Sequence, residues 1–328
     1  MSASSGTSAR RQRPGARAGA SSRAGAQAAC LLGALLLSAL APRPAQAYCR
    51  TTTCDPTTED CDVDQQGCAT RGQYLYWPDA CVTYAVQRSG SPLRGISAHA
   101  TDQALRAAFS AWLGADCDGG GSPSLGVIPL GGASCDRVEF NPAESGRPLT
   151  PNANLVIYRD DAWPYVNERF VIARTSITFD PTTGAIFDAD IEINSFRNEF
   201  SLSDAMVSND LQSVLTHEVG HFLGLDHTLV PNATMLADYE LSDLGTRTLS
   251  SDDAAGICAI YAPIAGDVSC PGNTGPHHGY SRECGTPSYA DASCLSLSMP
   301  PRPAPHPWLA LWPCLALGAL GLARRRRH

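Results

Sequence analysis

From Leu215 to Thr228 the sequence reads LTHEVGHFLGLDHT, with three histidines and one glutamate. His217 and His221 are four residues apart, so on a helix they stand one turn above the other on the same face. Two imidazole nitrogens so placed can share one metal ion. Gly224 permits the left-handed backbone that ends a helix, and the reversal can swing His227 back as a third ligand. Three protein ligands leave a fourth tetrahedral position for water, the arrangement of a catalytic rather than a structural zinc. Glu218 follows His217 directly and points to the rim of the same site. It is suited to take a proton from a water that the metal has made acidic, and later to pass it to a leaving amine.

These side chains need a helix under them and a scaffold around it. From Asn209 onward Leu211, Val214, Leu215, Val219, Phe222 and Leu223 form one broad apolar stripe, with Asn209 or Asp210 as the cap. The two helical histidines fall beside that stripe rather than within it. Upstream, Leu105, Ala108, Phe109 and Trp112 recur at helical spacing and predict a core-packing helix over 97–113. Strands are expected over 74–86, 125–130, 138–141, 154–158 and 170–179, then a turn over 180–184 and a strand over 185–193. A final helix is expected over 249–261. Within the 185–193 strand and just beyond it, Asp188, Asp190, Glu192 and Asn194 alternate with Ala189, Ile191 and Ile193, which places the four polar groups on one face. Asp188, Asp190 and Glu192 could supply oxygens to calcium, or the face could be the solvated side of an edge strand.

With these elements in place, the opening stretch resembles the metzincin metallopeptidases, and within them the matrixins. Their pattern has glycine before the second histidine and Leu-Gly-Leu-x-His after it, here Gly220 and Leu223 to His227. Pappalysin-like enzymes are similar to this short stretch almost as closely, and the surroundings separate them. Thr234-Met235 follows His227 where matrixins place their methionine turn, and Tyr239 stands where the wall of their specificity pocket ends. Leu249, Asp252-Asp253, Gly256-Ile257 and Ile260-Tyr261 resemble the matrixin final helix. Ala104, Ala108-Phe109 and Trp112 resemble the first helix, and Trp77-Pro78 with Thr83-Tyr84 the first strand.

The resemblance covers about residues 74 to 262. It implies an α+β, zincin-like catalytic domain: a twisted mixed sheet with long helices above a horizontal cleft, and a smaller lower part holding His227 and the methionine turn at Met235. It further implies a zinc endopeptidase in which His217, His221 and His227 hold one catalytic Zn2+ and Glu218 acts as base and then acid. An extended protein or peptide substrate is expected to pair with the edge strand around Val171 to Thr178. Two family features have no counterpart. No histidine lies between Asn154 and Asn209, where a second zinc would need one, and no Pro-Arg-Cys-Gly latency segment is present. One of Cys49 to Cys68 could cap the metal as a thiolate, or all could form ordinary disulfides.

The rest of the chain bears on location. All 24 basic residues are arginines; six precede Tyr48 and five follow Pro301, whereas all 32 acids lie between. So acidic a middle excludes nucleic acid as a partner, because phosphate contacts need clustered positive charge. Residues 1–47 read as a signal peptide, with an apolar run from Cys30 to Leu40 and a small-x-small cleavage site at Ala45-Gln46-Ala47. Residues 48–73 form a Cys-rich lead-in, 74–262 the matrixin-like domain, and 263–307 a Cys-, Pro- and Gly-rich spacer. Residues 308–328 join an apolar run to an arginine cluster, as in bacterial C-terminal sorting tails or a single-span anchor.

Both ends therefore predict an exported protein, at the cell surface or in the extracellular space, with the tail as a membrane or surface anchor. Eleven of thirteen cysteines fall between the two ends, which predicts disulfides with one cysteine left over. Cys294 is then a site for processing or lipid attachment, or a free thiol. The function so predicted is hydrolysis of peptide bonds in extracellular proteins. The alternative is a surface-anchored binding or adhesion module with an unused metal site.

Overall fold

Three polar residues that each precede an apolar-periodic run become helix caps. In a computed structural model of the protein, Ser97 accepts a hydrogen bond from the Ala100 amide and starts helix α1 (Ala98–Leu113). Asp210 accepts from the Ser213 amide and starts α2 (Leu211–Phe222). Ser250 and Asp253 form a reciprocal capping box at the start of α3 (Ser251–Ile260). The structure describes residues 47–54, 60–135, 138, 153–165, 171–205, 207–238, 243–272, 274–275 and the backbone of 294–298. The segment expected to be a signal peptide, up to its last residue, Tyr239 and the apolar C-terminal run lie outside the described residues. No described helix is long and apolar enough to cross a membrane.

The strands are β1 (Cys49–Arg50), β2 (Cys81–Gln87), β3 (Ser122–Pro123), β4 (Gly126–Ala133), β5 (Leu155–Tyr158), β6 (Ala173–Phe179), β7 (Ile186–Ile193), β8 (Phe200–Ser201), β9 (Asn209–Asp210), β10 (Leu225–Asp226), β11 (Pro263–Ile264) and β12 (Cys294–Ser298). Six of them form one sheet in the order β12-β6-β7-β5-β2-β4. β4, β2, β5 and β7 run parallel, whereas β6 is antiparallel to β7 and β12 antiparallel to β6. With its helices, this mixed sheet is the expected α+β arrangement. The four residues of β5, Leu-Val-Ile-Tyr, are all buried, the continuous apolar pattern of a parallel strand covered on both faces.

One face of the sheet carries the main core, where α1 and α2 pack. Tyr84 stacks on Phe109 at 5.1 Å between ring centroids, Phe109 meets Phe222 edge-on at 5.4 Å, and Trp77 lies 5.2 Å from Phe222. Each such ring contributes about 2–3 kcal/mol by leaving water. The polar edges are used as well: Trp112 Nε1 donates to Thr216 O at 2.7 Å. At the C-terminal end of α2, Trp77 Nε1 donates to Phe222 O and the Tyr261 hydroxyl to Leu223 O. Carbonyls at a helix end have no partner within the helix, and here core aromatics supply them.

Three expectations change. The strand expected from Tyr74 begins only at Cys81, because Pro78 has no N–H to pair; Tyr74 and Tyr76 make single bridges to Thr52 and Ala185. β7 pairs on both sides, and Asp188, Asp190 and Glu192 are buried on its face, so this is neither an edge strand nor a solvated face. The outer side of β6, expected to be open, pairs with β12 from Arg174 to Thr178.

Every described cysteine side chain is in a disulfide. Cys49–Cys68 and Cys54–Cys61 lie in the lead-in, so the thiolate cap on a metal is overturned for these four. Cys81–Cys270 and Cys117–Cys258 close long loops, each restricting the unfolded chain by about 5 kcal/mol in the chain-entropy account. The side chain of Cys294 lies outside the described residues.

Candidate metal centre

The α2 helix has to place two imidazoles over one point and then turn the chain back within a few residues. It does so at Gly224, whose φ is +98° and where a Cβ would lie 2.7 Å from Leu75 O. Only glycine fits that backbone and that gap. The returning segment forms β10, and His227 follows it. The Nε2 atoms of His217, His221 and His227 then lie 3.1–3.2 Å apart in all three pairs. Among the described residues, this is the one group of three or more His, Cys or acidic side chains whose ligand atoms converge.

The far side of each helical imidazole fixes its tautomer. His217 Nδ1 lies 2.7 Å from Thr234 O, and His221 Nδ1 2.9 Å from Leu225 O. A carbonyl only accepts, so Nδ1 carries the proton in both rings and Nε2 presents a bare lone pair. Lone pairs this close repel unless a cation lies between them. The separations match the edge of a tetrahedron of nitrogens around zinc, about 3.3 Å for bonds of 2.0–2.1 Å. The residues present therefore fit a zinc ion. Burial, and then His221 beside it, pull His217 down to about 3. Burial and His217 do the same to His227, also to about 3. Burial and then His227 hold His221 well below its ordinary value. All three rings are thus neutral ligands at physiological pH.

The carbonyls that orient the imidazoles are themselves held. Thr51 in the lead-in donates its hydroxyl to Leu225 O at 2.9 Å and its amide to Gly224 O at 3.0 Å, and β1 pairs with β10. The lead-in thus braces the turn that carries His227. On the other side, Asp253 of α3 accepts from the amides of Thr234 and Met235 at 2.7 and 3.0 Å. Met235 is buried, with its sulfur against Gly220; a Cβ there would lie 2.2 Å from Met235 Sδ. This contact is the physical reason for glycine before the second histidine.

Glu218 is almost fully buried, and burial pushes its carboxyl up to about 8 against the opposing effects of Thr175 and Arg174. Thr175 Oγ1 donates to Glu218 Oε2 at 2.6 Å.

The acids of β7 are on the opposite side of the sheet. Asp190 Oδ1 accepts from the Leu155 amide at 2.6 Å, Glu192 pairs with Arg159 at 2.5 Å, and the Tyr165 hydroxyl donates to Glu192. Asp188 is buried beside them. Sequence reasoning missed Thr175, Asp253 as the clamp on the 234–235 turn, and Thr51. The inward position of a lone hydroxyl on β6 was a usable signal for the first; nothing local pointed to the third.

Residues 155–262 match the matrixin family model. The matched segment contains the triad, Glu218, Met235 and α3. Macrophage metalloelastase from Oryctolagus cuniculus is 44% identical over 59 residues, which cover 18% of this chain and 13% of that protein. Human matrix metalloproteinase-15 is 42% identical over 62 residues, 19% of this chain and 9% of that protein. Matrix metalloproteinase-C from Caenorhabditis elegans is 25% identical over 199 residues, 59% of this chain and 30% of that protein. The chain therefore spans only about a tenth to a third of the length of these curated relatives. The matrixin likeness is concentrated where the site is built.

Proposed function

We propose that this protein is an exported zinc-dependent endopeptidase that hydrolyses peptide bonds of extracellular proteins. The observation that carries the reading is the convergence of three imidazole Nε2 atoms 3.1–3.2 Å apart, with a buried glutamate on the helix that carries two of them. The matrixin match and the metalloproteinase relatives support it. His217, His221 and His227 are the ligands, Glu218 is the base and then the acid, and Met235 forms the floor of the site as a methionine turn. When bound, zinc would polarise the scissile carbonyl and bring a water's acidity to near neutrality.

The protein's own residues supply the rest. Thr234 O and Leu225 O keep the imidazoles in the ligating tautomer, and Asp253 holds the turn beneath them. The Glu218 carboxylate takes a proton from the attacking water and returns it to the amine that leaves. An extended substrate pairs with β6, which requires β12 to withdraw from that side. A signal peptide removed after Ala47, an exported location and an anchoring tail complete the reading.

A peptide-library digest with the purified full chain tests this reading. Chelator-sensitive cleavage that Glu218→Ala lowers by about 100-fold or more supports it. Absence of cleavage in the zinc-loaded protein, or unchanged cleavage by Glu218→Ala, overturns it.

A further inference from the structure

On the face of β6 that meets α2, Ala173 and Ile177 are buried and apolar, and Thr175 between them is fully buried too. A hydroxyl at such a position costs stability unless it is hydrogen-bonded. Both hydrogen-bond partners of this hydroxyl belong to one residue: Oγ1 lies 2.6 Å from Glu218 Oε2 and 3.2 Å from Glu218 O. Valine has nearly the same shape and would complete the apolar face. The threonine is therefore explained by Glu218 rather than by packing.

We propose that Thr175 is a positioning residue whose hydroxyl, by donating to Glu218 Oε2, holds the Glu218 carboxyl group in one orientation. A hydroxyl offers one donor and two acceptor lone pairs. The one proton of Thr175 has two acceptors within reach, Glu218 Oε2 and Glu218 O, and both belong to the same residue. Tying down Oε2 fixes the rotation of the carboxyl group and leaves its other oxygen for the proton transfers of the reaction. Fixed placement of this kind is worth an appreciable part of the rate that a general base supplies.

The inference rests on Glu218 acting as the acid–base group. Its test uses full-length, zinc-loaded protein carrying Thr175→Val or Thr175→Ser, with a peptide that the unaltered chain cleaves. Thr175→Val is expected to lower kcat about tenfold with KM within about twofold of the starting value, and Thr175→Ser to recover most of the loss. Zinc content should be unchanged in both. In chelator-treated protein, Thr175→Val and Glu218→Gln should shift the unfolding midpoint non-additively, because they remove the same contact.

Unchanged kcat in Thr175→Val overturns the proposal. So do equal loss in the serine variant, a loss confined to KM or zinc content, and additive midpoint shifts. If the unaltered chain cleaves and only these results fail, the endopeptidase reading stands. If the unaltered chain does not cleave, that reading falls first, and the midpoint shifts still decide the contact.

Discussion

Two buried polar clusters lie on opposite sides of the same sheet, and they are satisfied in opposite ways. On the outer face of β7, Glu192 has Arg159 and Tyr165, and Asp190 has the Leu155 amide. Glu192 and Asp190 are met from within the chain. On the inner side, His217 and His221 turn their protonated nitrogens to carbonyls and their lone pairs toward each other and toward Nε2 of His227. That cluster lacks a positive centre of its own. The difference separates a cluster that holds the fold together from one that needs a guest: what counts is whether the partners come from the protein.

Acid should separate the two clusters most strongly. In zinc-free protein His217 and His227 sit at about 3 in the fold and His221 well below its ordinary value, against about 6.5 in the unfolded chain. The unfolded chain therefore binds more protons between these values, and stability falls as pH drops from about 6.5 toward 3. Glu218, raised to about 8, acts oppositely between about 4.5 and 8, but it is one group against three. Denaturant unfolding of chelator-treated protein at several pH values should show a steep acid loss; a flat profile would break the comparison.

The β7 cluster should respond to mutation rather than to metal. Glu192→Ala leaves Arg159 without its buried partner and should cost about 3 kcal/mol, measured as a shift in the urea midpoint, with zinc content unchanged. An equal loss of zinc would mean that the two clusters are not independent. Asp253→Ala should fall between the two regions, because its carboxylate serves both α3 and the turn under His217. A stability loss of about 2 kcal/mol and roughly tenfold weaker zinc binding are expected, and calorimetry reads both.

The smallest effect concerns the outer side of β6. Leu297→Pro removes an amide from β12, which pairs there with Thr175. If β12 competes with substrate, kcat/KM should rise roughly two- to tenfold, the equivalent of about one ladder hydrogen bond. A fall in kcat/KM would show that β12 supports the site instead.

Much of this architecture was legible in the sequence where the signal is local. Ser97 before α1, Asp210 before α2 and Gly224 after it mark ends that need only neighbouring backbone groups. The spacing of His217 and His221 shares a helix face whatever surrounds it. The alternation of Asp188, Asp190 and Glu192 likewise shows a common face, but it says nothing of what covers that face. Arg159 and Tyr165 come from elsewhere in the chain, so a buried network read as calcium ligands or a solvated edge. Thr175, Asp253 and Thr51 reach the site through tertiary contacts alone. So does β12, whose Leu-Ser-Leu-Ser alternation suits a strand without saying where it pairs.

Zinc titration into metal-free, full-length protein, followed by calorimetry and checked by elemental analysis, tests the guest-requiring cluster most directly. One zinc ion per chain, lost in His217→Ala and retained in Glu192→Ala, is the predicted result. No bound zinc, or binding that survives His217→Ala, would contradict it.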